Sequence, residues 1–129
     1  MTDDTNTRPR HPVVARFCNN ARGFWAAHRW LLIVFVISLL CDAASTIYFM
    51  LQLGPGPEIH PVIRVAATIA GPVLGPLLGA FAKTIAGVMV SIYCRRFAVY
   101  ILVLTAIISF WAAWYNVWGV EMYRPIFMK

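Results

Sequence analysis

Apolar residues in this chain fall in long runs, not at the spacing of a soluble core. Residues 30–53 form the first run, and Asp42 is its one charged residue. At about 1.5 Å of rise per residue, that run is long enough to cross the roughly 30 Å hydrocarbon layer of a bilayer. The stretch 54–61 follows, where Gly54, Pro55, Gly56, Pro57 and Pro61 break the helix and predict a loop. Residues 62–93 are too long for one span and too short for two spans with a loop. Gly71-Pro72 and Gly75-Pro76 interrupt them. This pattern predicts a half-helix over 62–70 that dips in from the outer face, then a continuous second span over 73–93. Irregular backbone at membrane depth is tolerated only where protein buries it or water reaches it. Residues 97–118 read as a third span and 119–129 as a short tail.

The pattern changes ahead of the first run. Residues 1–12 are polar and contain two prolines, so they are expected to be a disordered tail. Over 13–29, Val13, Val14, Phe17, Ala21, Phe24, Trp25 and His28 recur at helical spacing. Arg16, Asn19, Asn20 and Arg22 lie mostly on other faces. This predicts an amphipathic helix on the membrane surface, with a structured cytoplasmic lead-in as the alternative. The expected fold is therefore an all-α membrane protein. It has three transmembrane helices, a short re-entrant half-helix and an N-terminal amphipathic helix, with 30–129 forming one transmembrane domain.

Composition agrees with the runs. The 129 residues are 60% hydrophobic and 12% charged, against about 25% charged in an average soluble domain. The net charge of +6 does not predict nucleic-acid binding, because its position matters more than its size. Arg8, Arg10, Arg16, Arg22 and Arg29 all precede the first span, where they favour cytoplasmic retention and contact with anionic lipid. Charge also decides between three spans and four. With three, Arg95-Arg96 share the cytoplasmic side with the N-terminal arginines, and the loop 54–61, free of Lys and Arg, is outside. Trp25 and Trp30 then mark the inner interface, and Trp111, Trp114, Tyr115 and Trp118 the outer one. The location implied is the cell inner (plasma) membrane, multi-pass, with a cytoplasmic N-terminus. The basic lead-in is too long for a standard signal peptide, which leaves cleavage a minor alternative. Cys18, Cys41 and Cys94 are scattered and form no C-x-x-C pair, so no zinc, redox centre or other cofactor is expected.

The polar residues within the spans carry the candidate chemistry. Asp42 lies near the middle of the first span, where a charge costs roughly 2.5–3.5 kcal/mol on insertion scales. Ser45 and Thr46 follow on the same helical face. Lys83 sits at the middle of the second span. It belongs to a stripe at four-residue spacing: Gly71, Gly75, Gly79, Lys83, Gly87, Ser91. Small residues at that spacing let helices approach closely, so an Asp42–Lys83 ion pair is expected at a helix interface. Such a pair either serves a function or only fixes the packing of the two spans. The third span carries Thr105, Ser109 and Asn116. Asn116 is expected to meet Glu58, His60 and Arg64 in a polar mouth at the outer face, and the start of the half-helix adds free backbone N–H groups there. Ordinary interfacial residues and helix capping are the alternative reading of that mouth.

Taken together, Asp42-x-x-Ser45-Thr46, Glu58-x-His60-Pro61, Gly75-Pro76 with the later Lys83, and Asn116 resemble a family of small prokaryotic integral membrane proteins catalogued as a domain of unknown function. That family reads D-x-x-[ST]-T, E-x-N-P, G-P and a later K, then a late N, so His60 stands where Asn is expected. The resemblance spans about residues 30–118. It implies a shared set of site positions and no activity.

Three classes of function stay open on the residues alone. The reading taken forward is a ligand-, lipid- or partner-binding membrane module, expected to act as a homo-oligomer or as a subunit of a membrane complex. Ion or proton translocation through Asp42, Lys83 and His60 is one alternative, and it needs an oligomer to enclose a path. A membrane-embedded enzyme acting on a lipid headgroup, with Glu58 or His60 as base, is the other. No nucleophile elbow, H-E-x-x-H or phosphate loop supports a particular reaction, and Glu58 and His60 make only two metal ligands.

Overall fold

The computed structural model describes residues 11–54, 56, 58 and 60–127, with side chains through Met122. The expected tail, Arg8 and Arg10 among it, lies outside these residues except for positions 11 and 12. The described residues are all-helical. They form α1 (Pro12–Ala21), α2 (Phe24–Leu53), α3 (Pro61–Tyr93), a short 3-10 turn (Arg95–Phe97) and α4 (Ala98–Phe127). Three helices are long and apolar enough to cross a membrane.

Several boundaries differ from the sequence reading. The single amphipathic helix expected over 13–29 is two pieces. Gly23 adopts φ 69°, a left-handed conformation that ends α1 and lets α2 begin at Phe24 instead of Trp30. The last helix continues through Gly119 to Phe127, so most of the expected tail is helical. Gly119 is buried, and close packing there offsets the poor helix propensity of glycine.

The long arm of α3 packs antiparallel to α2. Lys83 meets Asp42, and the backbone of Gly87 lies against the ring of Phe35. α4 runs parallel to α2. Leu102 packs in a cluster with Leu32 and Phe35, Asn116 bonds Ser45 and Thr46, and Val120 packs with Phe49 and Met50. Two buried clusters result. One holds Phe24, Phe35, Leu39, Ile92 and Leu102, near the Arg95 turn. The other holds Phe49, Met50, Ile63, Ala67 and Val120, at the opposite end. Many large apolar side chains point outward, among them Ile69, Trp111 and Trp114. An outward apolar shell of this extent fits a lipid surround, in which close packing of small residues stabilises helix contacts better than apolar area does.

The element that shapes the site is the break in α3. Gly71 stands at φ 91°, ψ 164° inside an otherwise helical run. Only glycine adopts that conformation readily, and the following Pro72 favours an extended residue before it. The chain reverses there. A Cβ at Gly75 would lie 2.5 Å from the backbone N of Ala67, and one at Gly79 would strike Ile63. In a continuous helix Gly75 and Ala67 would be about 12 Å apart. Segments 61–70 and 72–93 therefore form a tight helical hairpin centred on Gly71.

The direction of the short arm differs from the sequence reading. The expected half-helix starts at the outer rim and dips inward. In the structure Ile63 lies beside Asp42, Ala43, Ala80 and Lys83, while Ala67 packs with Phe49 and Met50. The short arm thus begins beside Asp42 and rises toward the Leu53 end of α2, where Gly71 makes the turn. Glu58 and His60 line the same cavity as Asp42, so the chain has returned to that level before the short arm begins.

Candidate functional site

Asp42 and Lys83 anchor the site. Lys83 Nζ donates a 2.9 Å hydrogen bond to Asp42 Oδ2, and the two side chains keep 13% and 41% of their surface accessible for Asp42 and Lys83 respectively. The pair is therefore closed on the aspartate side and open on the lysine side. Antiparallel packing of α2 on the long arm of α3 sets the facing, and Gly87, one turn from Lys83, lies against Phe35 of α2 and keeps the two helices close.

One turn further along α2, Ser45 and Thr46 face α4. The Asn116 amide donates to Ser45 Oγ at 3.2 Å and to Thr46 Oγ1 at 2.9 Å. Ser45 Oγ in turn donates to the Asp42 carbonyl at 2.9 Å. A polar chain thus links α4 to the backbone that carries Asp42. Asn116 meets these hydroxyls directly, a partnership that the sequence reading did not foresee.

Glu58 and His60 arrive from the returning segment. Glu58 Oε1 accepts the backbone N–H of His60 at 3.0 Å, which satisfies a donor at the base of the short arm. Both residues line a cavity of about 940 Å³ that also borders Asp42, Thr46, Lys83 and Asn116. Glu58, His60 and Asn116 do share one cavity, but at the level of the Asp42–Lys83 pair and not at an outer rim. Arg64 is not among the residues around that cavity. It is exposed, and its carbonyl accepts a bond from Thr68 Oγ1.

The remaining wall comes from α4: Ile108, Ser109, Trp111, Ala112 and Tyr115. Trp111 and Tyr115 stack, with ring centroids 5.9 Å apart and planes at 27°. The sequence reading placed both rings in an interfacial belt. Helical periodicity points to the cleft wall as well, because positions 109, 112 and 116 share one face with Tyr115 beside them. The cleft lies between α3 and α4, with α2 as its floor. Its volume is in the range of small-molecule sites, about 300–1,000 Å³.

The small-residue stripe divides its roles. Gly71 is the turn of the hairpin, Gly75 and Gly79 admit the short arm, and Gly87 admits Phe35 of α2. Ser91 is fully buried, and its Oγ has no hydrogen-bond partner among the described residues. No three His, Cys, Asp or Glu side chains among the described residues gather closely enough to hold a metal ion. The arrangement offers binding by charge, hydrogen bonds and an aromatic wall. Compared with protein-family models, curated proteins and solved structures, the chain matches none.

Proposed function

We propose that this chain is a membrane module that holds an amphiphilic small molecule, lipid or lipid-like, in the cleft between α3 and α4. One observation carries the reading: a cavity of about 940 Å³ combines a polar floor of Asp42, Lys83, Glu58 and Asn116 with the apolar and aromatic wall of Ile108 and Trp111. A site with charged groups at one end and apolar groups at the other matches a molecule with a headgroup and a chain.

In this reading the Arg95 turn faces the cytoplasm. Arg95 Nη1 donates to the carbonyls of Asn20 and Arg22 at 3.1 and 2.9 Å, so the basic residues of α1 and the 3-10 turn cluster at one end of the bundle. That end suits the anionic inner leaflet of a plasma membrane. α1, with Val13 and Val14 exposed, lies along that surface, and the short arm of α3 is a re-entrant element entered from the outer side by the returning segment. Asp42, Thr46, Glu58, His60, Lys83 and Asn116, six of the motif positions, line the cleft, which supports a binding role for them.

Filling the cleft tests the proposal. Ala112 borders the cavity, and Ala112→Trp adds bulk there without touching the charges. Wild-type protein purified in mild detergent should retain about one equivalent of an amphiphile by native mass spectrometry, and A112W should lose it while keeping its helical spectrum. Equal retention by both proteins, or none by the wild type, would contradict the reading.

A further inference from the structure

The cleft carries a charge pattern that narrows its ligand. This inference rests on the cleft being the binding site proposed above. Asp42 is neutralised by Lys83 at 2.9 Å. Glu58 receives the backbone N–H of His60, which is a dipole and not a charge, and it forms no ion pair among the described residues. Among the described residues, one carboxylate in the cavity is therefore left without an ion-pair partner, with the His60 imidazole as the neighbouring polar side chain. Facing the same space are the stacked Trp111 and Tyr115 rings. Aromatic faces carry negative potential and attract cations, most of all quaternary ammonium groups within about 6 Å. An uncompensated carboxylate beside an aromatic pair repels anions and has no use for a neutral headgroup. We infer that the cleft selects ligands bearing an ammonium group, seated between the Glu58 carboxylate and the Trp111–Tyr115 rings.

A charge-assisted contact to the carboxylate and a cation–π contact each strengthen binding by a factor of roughly three to thirty when desolvated. The ammonium comes either from an amphiphile or from a soluble cation, and the test separates these sources. Native mass spectrometry of the full chain in maltoside micelles is run with dodecyltrimethylammonium, dodecyl phosphate and dodecyl glycerol ether, and with free choline as competitor. The expected result is one bound dodecyltrimethylammonium, at least tenfold tighter than the phosphate or the ether. Glu58→Gln keeps the oxygen that accepts the His60 N–H, so the fold is retained, and it should reduce that preference about tenfold. Trp111→Leu should weaken the ammonium ligand several-fold and leave the ether unchanged. Displacement by choline at equal concentration supports the ammonium site and assigns it a soluble cation, whereas no displacement assigns it an amphiphile. Equal binding of all three amphiphiles, or a preference that survives E58Q, overturns the charge selection while the cleft reading stands. Binding of none of the probes overturns both.

Discussion

Asp42 and Lys83 show how a costly residue is made tolerable within an apolar helix. Each alone carries an unfavourable insertion energy, and their 2.9 Å contact offsets part of it. Removing one partner leaves the other charge unpaired, which costs about 3–5 kcal/mol in a fully buried pair. The value expected here is about 3 kcal/mol, because the Lys83 side chain borders the cleft and is not fully enclosed. Asp42→Asn and Lys83→Met should each lower the folded yield and the melting temperature. The double variant should recover at least part of the loss relative to the poorer single variant, a coupling that a double-mutant cycle reads directly. Additive losses would show that the two side chains act independently. The contact was legible in the sequence, since both residues lie midway along their apolar runs and on faces rich in small or polar residues. The stacking of Trp111 and Tyr115 at the cleft was not, because an aromatic residue near a span end reads equally well as an interfacial anchor.

The α3 hairpin depends on glycines that do different jobs, so its substitutions should differ in a definite order. Gly71→Ala forces a side chain into φ 91°, a strain of about 1–3 kcal/mol, although no atom would obstruct the new Cβ. Gly75→Ala is worse in kind, because its Cβ would meet the Ala67 backbone at 2.5 Å and the two arms must separate. Gly79→Ala meets only the terminal methyl of Ile63, which rotates away, so a change within about 1 kcal/mol is expected. Thermal unfolding in a fixed detergent should therefore rank Gly79→Ala mildest and Gly75→Ala and Gly71→Ala clearly destabilised. Equal effects at Gly75 and Gly79 would rule out the hairpin packing. The sequence marked this region as broken, since Gly-Pro pairs end helices whatever follows. It did not show which way the chain turns, because a loop of glycine and proline continues outward or folds back with equal ease. Gly23 was passed over for a similar reason: it sits inside a regular apolar period that hides a change of helix direction. Gly119 misled in the opposite sense, since a buried glycine is compatible with an uninterrupted helix.

At the scale of the molecule, three helices place both basic segments at one end, and the returning segment carries Glu58 and His60 into the bundle. The first feature predicts sidedness. In a variant with Cys18, Cys41 and Cys94 replaced, Met122→Cys should react with a membrane-impermeant maleimide in intact cells, and Arg96→Cys only after permeabilisation. Labelling of both positions alike would remove the three-span arrangement. The second feature is what builds the cleft, and a depth measurement tests it most directly. In the same cysteine-free background, a spin label is placed singly at His60→Cys and at Val73→Cys, and collision with oxygen and with a water-soluble nickel chelate gives the depth of each in nanodiscs. Val73 lies next to the hairpin turn, whereas His60 precedes the arm that begins beside Asp42, so the two differ by about 13 Å along the bundle. The label at position 60 should lie deep and the label at position 73 near the headgroups. A label at 60 that lies at the interface, with 73 at equal or greater depth, would contradict it. Glu58 and His60 would then stand at an outer rim, and no shared cleft with Asp42, Lys83 and Asn116 would exist.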